Sequence, residues 1–202
     1  YRFSGGFLDG HPTGNIWLLG LIKVYGMAGG INKAQELLNL SPHRVIPATA
    51  ETHDLIALLE NNEEIHGEWN IDKITGPIQK LSLSIPVQAT KEAMKALSQA
   101  DMILVGPGTF YTSILSCFLV DEIADAFRLS KAKKVYIANL CNHPREQYQN
   151  YTLQKYLDEF ERHIGRIQFD TILADKNGNQ ESDAIAIDIT DPRIFIDDFA
   201  DT

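Results

Sequence analysis

The chain has 202 residues, 44% of them hydrophobic, with a formal net charge of −9, so it carries enough apolar side chain for one large globular domain. The acidic balance excludes a nucleic-acid surface, which needs cations to displace counterions, and equally an anionic membrane surface. It does not exclude a phosphate ligand, because backbone N–H groups bind phosphate without a net positive protein.

Residues 1–12 are Gly-rich and irregular. Residues 13–25 read as a helix that is apolar on most sides and therefore buried; its apolar run is too short to span a bilayer and contains Lys23. Asn32 is placed to cap a second helix through Leu40, with Ala34, Leu37 and Leu38 inward. Residues 43–46 read as a strand entering Pro47. Residues 55–59 are an apolar run, followed by a polar turn at Asn61 to Glu64. Residues 65–71 and 78–85 then alternate, as half-buried strands do. The stretch 52–86 is thus a β-hairpin excursion attached to the main sheet.

Beyond it, helices and short apolar strands take turns. Thr90 caps a helix through Ala100, and residues 102–105 are a strand broken by Gly106-Pro107-Gly108. Residues 109–129 form one helix with Ile114, Phe118, Leu119, Ile123 and Phe127 inward. Residues 134–138 are a strand, 153–164 a helix and 169–174 a strand, with further strands at 184–189 and 193–196. This order predicts an α/β, Rossmann-like fold: a mostly parallel sheet with helices on both faces, in a single domain spanning 1–202. Cys117 and Cys141 stand in no metal-ligand spacing; a disulfide between them is one reading, but nothing marks the chain as secreted, so a reduced, cytoplasmic setting is the better one, with Cys117 in the core. The chain starts at Tyr1 rather than methionine and shows no signal-peptide pattern, so its start reads as truncated.

In open parallel sheets, ligands gather beyond the carboxyl ends of the strands. Those ends are Ala48-Thr49, Gly106 to Thr109, Asn139 to Asn142 and Asp175. The strongest signal is Gly106-Pro107-Gly108-Thr109-Phe110-Tyr111-Thr112-Ser113. Its glycines allow a sharp turn and close approach, and the helix that follows offers unpaired N–H groups, a positive dipole end and the hydroxyls of Thr109, Thr112 and Ser113. It is not a Walker loop, because no lysine follows the glycines. A plain strand-to-helix turn capped by Thr109 explains the same residues, and both readings stand. The second signal is Gly10-His11-Pro12-Thr13-Gly14-Asn15, which either lines a pocket or simply caps a helix through Thr13. The third is Asn139-Leu140-Cys141-Asn142-His143-Pro144-Arg145-Glu146, where His143, Arg145 and Glu146 are either acid/base and anion-binding groups or a solvated loop. Residues 60–64 read as a solvated turn, and Asp197, Asp198 and Asp201 as a frayed tail.

At these motifs the chain resembles the bacterial gluconeogenesis-factor family, within the superfamily that includes the 2-phospho-L-lactate transferase of deazaflavin coenzyme synthesis. Tyr1-Arg2-Phe3 with Gly10-His11 and Gly14-Asn15 matches a family tract. Ile46-Pro47-Ala48-Thr49 is similar to its Leu-Pro-Ala-Thr, and Gly67-Glu68 to its Gly-Glu after a hairpin. Gly106-Pro107-Gly108-Thr109-Phe110-Tyr111-Thr112-Ser113 matches Gly-Pro-Gly-Ser-x-Tyr-Thr-Ser, and Asn139-Leu140 with Pro144 and Glu146 matches Asn-Leu-x-x-x-Pro-x-Glu. The matches run in order to about Asp175.

The resemblance implies a Rossmann-like fold and a nucleotide or nucleotide-sugar ligand, UDP-N-acetylglucosamine in the regulatory branch, which supports cell-wall synthesis, cell shape and growth on gluconeogenic carbon. It also implies an alternative. The transferase branch moves a lactyl-phosphate from a guanosine-activated donor to a deazaflavin alcohol with Mg²⁺. The ligand-binding residues implied are Gly106, Pro107, Gly108, Thr109, Tyr111, Thr112, Ser113, Gly10, His11, Gly14, Asn15, Thr49, Asn139 and Glu146. No catalytic residue and no protein metal ligand is assigned. A homo-oligomer is compatible with the pattern. Two departures stand out. The family's opening strand with Gly-Gly-Gly-Thr-Gly and its Asp-Asp-Gly-Gly segment do not occur in the sequence, and without them the domain lacks half of the pocket and exposes a sheet edge. The family's usual Gln-Pro-Gly-Glu reads His143-Pro144-Arg145-Glu146, where Arg145 adds a cation and bulk.

Overall fold

The computed structural model describes residues 1–41, 44–74, 77–142, 151–175, 185–188 and 190–197. They fall into two compact units, Tyr1–Ala50 and Glu51–Thr202.

The first unit opens with a tight loop. The Phe3 N–H donates to the His11 carbonyl at 3.0 Å and the Gly10 N–H to the Phe3 carbonyl at 2.9 Å, and the Arg2 guanidinium donates to the Gly10 carbonyl at 2.8 Å. A helical stretch follows, α1 (Thr13–Leu37), made of two helices that meet at a kink where Gly26 takes the non-helical φ 74°. The two helices expected from the sequence are thus present, but they meet at Gly26, where the backbone leaves the helical region, and not at Asn32. Gly26 tolerates the left-handed backbone that a side chain would resist, and the hydrogen-bond ladder resumes beyond it. Asn32 is inside α1 and caps nothing. Nor is α1 a buried helix: Trp17, Leu19, Val24 and Tyr25 are exposed, and only Gly30 and Ala34 are buried within it. Its apolar residues are spread around the circumference, so one layer of chain cannot cover them all. Residues 44–47 form no strand, so Thr49 does not stand at a described strand end.

The second unit holds two sheets. In the first, β1 (Leu55–Leu59) pairs antiparallel with β2 (Glu64–His66) on one side and β3 (Ile78–Leu83) on the other. This is the expected β excursion, formed as a sheet of its own. The strand expected over 65–71 stops at His66. Gly67 takes φ 84° and the chain turns into a single helical turn, α2 (Glu68–Ile71), so that Ile71 is fully buried.

The second sheet is four-stranded and parallel, in the order β4 (Met102–Val105), β5 (Lys133–Ile137), β6 (Thr171–Asp175), β7 (Ile194–Asp197). Parallel neighbours need crossover connections, and helices supply those between β4 and β5 and between β5 and β6. The mixed α/β class with a parallel sheet is thus as the sequence predicts; residues 185–188 are not a strand. Ahead of β4, α3 (Lys91–Gln99) starts where the Thr90 hydroxyl accepts from the Ala93 N–H at 3.1 Å. Between β5 and β6, α6 (Leu153–Ile164) starts at Thr152, whose hydroxyl accepts from the Lys155 N–H, and ends at Gly165 with φ 75°.

The crossover between β4 and β5 differs from expectation. It is not one helix over 109–129. A π-helix, Phe110–Leu115, runs into α4 (Ser116–Phe118), the chain breaks at Leu119-Val120, and α5 (Asp121–Leu129) begins anew. Packing enforces this. Phe110, Tyr111, Ile114, Leu115, Phe118, Val120, Ile123 and Phe127 are all buried, more than one regular helical face presents. Around them an aromatic core assembles edge to face, with Phe110 against Tyr156 and Phe160 at centroid separations of 4.9 and 5.0 Å, and Tyr136 against Phe160 at 5.4 Å. Met102 and Leu104 on edge strand β4 remain exposed.

Candidate functional site

Val105 of β4 sits in register with Tyr136 of β5, so the turn after β4 lies beside the carboxyl end of β5. Gly106 holds φ 85°, and a Cβ on it would stand 2.6 Å from the Ile137 carbonyl oxygen. Only glycine fits there. A cis peptide joins Gly106 to Pro107. Thr109 then enters the helix with extended backbone and no side-chain cap; its carbonyl accepts from Ser113 N–H at 2.9 Å and Ile114 N–H at 3.1 Å.

Asn139, just beyond β5, grips this turn from the side. Its Oδ1 accepts from the Gly108 N–H at 3.0 Å and its Nδ2 donates to the Gly108 carbonyl at 2.9 Å. The carboxamide expected to touch a ligand therefore holds the loop, and the Gly108 amide has a partner within the protein.

The remaining residues of the motif divide by orientation. Tyr111 is fully buried, and its hydroxyl donates to Glu159 Oε2 at 2.8 Å and lies 3.2 Å from the Tyr151 hydroxyl. Thr112 is buried and donates to Asp72 Oδ1 at 2.8 Å. Both hydroxyls, expected at a ligand, are engaged inside the unit. Ser113 and Pro107 are exposed, and Gly106, Gly108 and Thr109 half-buried. A Cβ on Gly108 would lie 3.5 Å from the Ser113 Cβ and 3.6 Å from Ile114 Cγ1, so this face of Gly108 packs on the first turn of the helix. Cys117, one turn on, is exposed rather than in the core, and its thiol donates to the Ser113 carbonyl at 3.5 Å.

Sequence reasoning missed what supports the turn. Glu159, only 2% exposed, accepts from Tyr111, from Lys155 Nζ at 3.1 Å and from Arg162, whose Nη2 also donates to the Ile78 carbonyl of β3 at 2.6 Å. Burial pushes the Glu159 carboxyl up, but the hydrogen bonds from Arg162, Tyr111 and Lys155 outweigh it and hold it below the ordinary carboxylate range. Burial also raises the Tyr111 hydroxyl far above its ordinary value, reinforced by Tyr151 and Glu159. A signal for Glu159 was present: a carboxylate in the inward stripe of α6, between Tyr156 and His163. Asp72 carried no such signal.

Gly10, His11, Gly14, Asn15 and Thr49 belong to the first unit. His11, Gly14 and Asn15 are exposed, and the Thr13 hydroxyl reaches the Tyr1 carbonyl at 3.3 Å instead of capping α1. His143, Arg145 and Glu146 lie outside the described residues. Among the described residues, no group of three or more His, Cys, Asp or Glu side chains is arranged to hold a metal ion, and no helix is long and apolar enough to cross a membrane.

The family profile described as 2-phospho-L-lactate transferase CofD matches residues 1–192. The chain belongs to the CofD family. Its relatives in that family include proteins provisionally named gluconeogenesis factors. One from Thermotoga maritima is 37% identical over 164 residues, which is 81% of this chain and 52% of that protein. One from Yersinia pestis is 38% identical over 175 residues, 86% of this chain and 57% of the relative. One from Pasteurella multocida is 32% identical over 202 residues, 99% and 65% respectively. The chain thus spans between half and two thirds of the length of these CofD-family relatives. A crystal structure of a UPF0052-family protein from Bacillus halodurans matches with a TM-score of 0.82 at 30% identity, covering 93% of this chain and 64% of that one. A second crystal structure from that organism gives 0.85 at 28% identity, covering 98% and 69%.

Proposed function

We propose that this CofD-family chain binds a nucleotide or nucleotide-sugar of the UDP-N-acetylglucosamine type where β4 and β5 end, and acts in the cytoplasm as a regulatory factor for cell-wall synthesis, cell shape and gluconeogenic growth. The observation that carries the reading is the Asn139 clamp. It fixes a glycine turn so that a helix start, with the exposed Ser113 beside it, is offered at the end of a parallel sheet. Helix starts favour anions, and this position is where open α/β sheets bind ligands. The net charge of −9 fits a backbone-bound phosphate better than a lysine-lined one. The relatives' names support the regulatory role.

The family's transferase description favours a second reading, transfer of a lactyl-phosphate to a deazaflavin alcohol. Mg²⁺ would then neutralise phosphate charge, held by substrate oxygens and a carboxylate. Calorimetric titration with UDP-N-acetylglucosamine and with GDP, each with and without Mg²⁺, separates the two. Saturable UDP-sugar binding without turnover is the expected result. Mg²⁺-dependent GDP binding with product formed on a deazaflavin alcohol would install the transferase instead, and no binding by either nucleotide would sink both.

A further inference from the structure

The imidazole of His163 fills the contact between α6 and the π-helix and is only half satisfied there. Its side chain is 2% exposed. Nδ1 lies 3.0 Å from the Glu159 carbonyl oxygen, which can only accept, so Nδ1 carries the ring proton and donates it. Nε2 is therefore a bare lone pair, and it has no hydrogen-bond partner among the described residues. The ring stands edge-on to Tyr111 of the π-helix, with centroids 5.5 Å apart. The charged and titratable groups of this contact are Tyr111 from the π-helix, Tyr151 ahead of α6, and Lys155, Glu159 and Arg162 on α6 itself. β3 brings the Ile78 and Gln79 carbonyls, which Arg162 takes.

A further proton can enter this ring at Nε2 alone. The N–H it makes would face no acceptor inside a closed contact, and a buried polar group without a partner is costly. Of the surrounding groups Glu159 could answer the charge, but its carboxylate already takes Tyr111, Lys155 and Arg162, and the Arg162 guanidinium repels a second cation. We propose that His163 is a proton-operated latch: a proton at Nε2 expels the imidazole from between α6 and the π-helix, and the contact opens at Tyr111 while the four-stranded sheet stays folded. The expelled N–H finds its acceptor in water, and the neutral ring returns when the pH rises. Burial, which holds the buried imidazole below the ordinary 6.5, sets the direction of the switch. The opening is local, because β4, β5 and β6 are joined by backbone hydrogen bonds in which His163 has no part.

Amide exchange of the chain, followed residue by residue by NMR over about two pH units around neutrality, tests the latch when it is expressed as protection factors. Protection across Phe110–Leu115 should be level above pH 6.5 and fall below it, by at most about tenfold per pH unit for one proton, while the amides of β5 and β6 keep theirs. The ring nitrogens of His163 in the same chain should show the Nδ1–H form at neutral pH and take up the second proton only below pH 6.5, in step with that loss. His163→Phe fills the same place without a titrating nitrogen, and its protection across Phe110–Leu115 should not change with pH. Protection there that stays level as the native ring protonates, that falls equally in β5 and β6, or that falls just as far in a folded His163→Phe variant overturns the latch. Should the variant fail to fold, the ring nitrogens and the exchange of the native chain decide the matter between them.

Discussion

The carboxamide of Asn139 closes two hydrogen bonds on the backbone of Gly108, one accepted and one donated, across 31 residues of sequence. A single side chain at the end of β5 thereby sets the shape of the turn at the end of β4.

Asn139→Ala removes both bonds. At about 0.5–1.5 kcal/mol per neutral hydrogen bond, denaturant unfolding should show a loss of about 1–3 kcal/mol. Asn139→Asp keeps an acceptor but cannot donate to the Gly108 carbonyl, and it places a negative charge beside the proposed phosphate position. It should weaken phosphate-ligand binding by calorimetry more than alanine does. The reverse order would count against an anion at this turn.

The two glycines of the turn should respond differently. Gly106→Ala forces a side chain onto φ 85° and to within 2.6 Å of the Ile137 carbonyl, so thermal unfolding should report a severe loss of stability. Gly108→Ala meets nothing closer than 3.5 Å, and its fold should survive. Gly108→Val should keep the fold in large part and abolish ligand binding, because its branches crowd the proposed phosphate position above Ser113 and Ile114. A valine variant that binds as well as the native chain would move the site elsewhere.

Tyr111→Phe keeps the buried ring and deletes the hydroxyl that donates to Glu159 at 2.8 Å. Hydrogen bonds to charged groups contribute about 1.5–3 kcal/mol, and chemical denaturation should show a loss of that order. Amide exchange should quicken in the π-helix, Phe110–Leu115, since Tyr111 is its tie to α6 and, through Glu159 and Arg162, to β3. Unchanged exchange there would show that packing alone holds the helix.

Acid should destabilise the second unit in two stages. His163 is buried, its Nδ1 meeting the Glu159 carbonyl at 3.0 Å, and burial holds its imidazole below the ordinary 6.5. The unfolded chain takes up that proton first, so stability is full above pH 6.5 and falls as pH drops below it. Glu159 is held below the ordinary value of 4.5, so its contribution is present above that value and is lost as pH falls further. His163→Phe, which preserves the edge-on contact with Tyr111, should flatten the melting-temperature profile just below pH 6.5. A slope that does not change would place the first stage on another group.

The boundaries of α6 and β4 are legible in the amino-acid sequence alone. A cap at Thr152, a 3.6-residue apolar stripe and a short apolar run ending in glycine are local signals, and local backbone preference suffices to read them. The Gly106 turn is legible for the same reason. What the stretch after Thr109 becomes is not. Its residues suit one long helix, and the π-turn and the break at Leu119-Val120 arise because Phe110, Tyr111, Leu115 and Phe118 must all be buried together. The partners of the motif's polar groups are equally hidden. Gly108 finds Asn139 at 31 residues, Thr112 finds Asp72 at 40 and Tyr111 finds Glu159 at 48. Hydrogen bonds at such separations leave no periodicity in a sequence. They exist only once the strands and helices have packed, and that packing decided which hydroxyls of the motif face solvent and which hold the protein together.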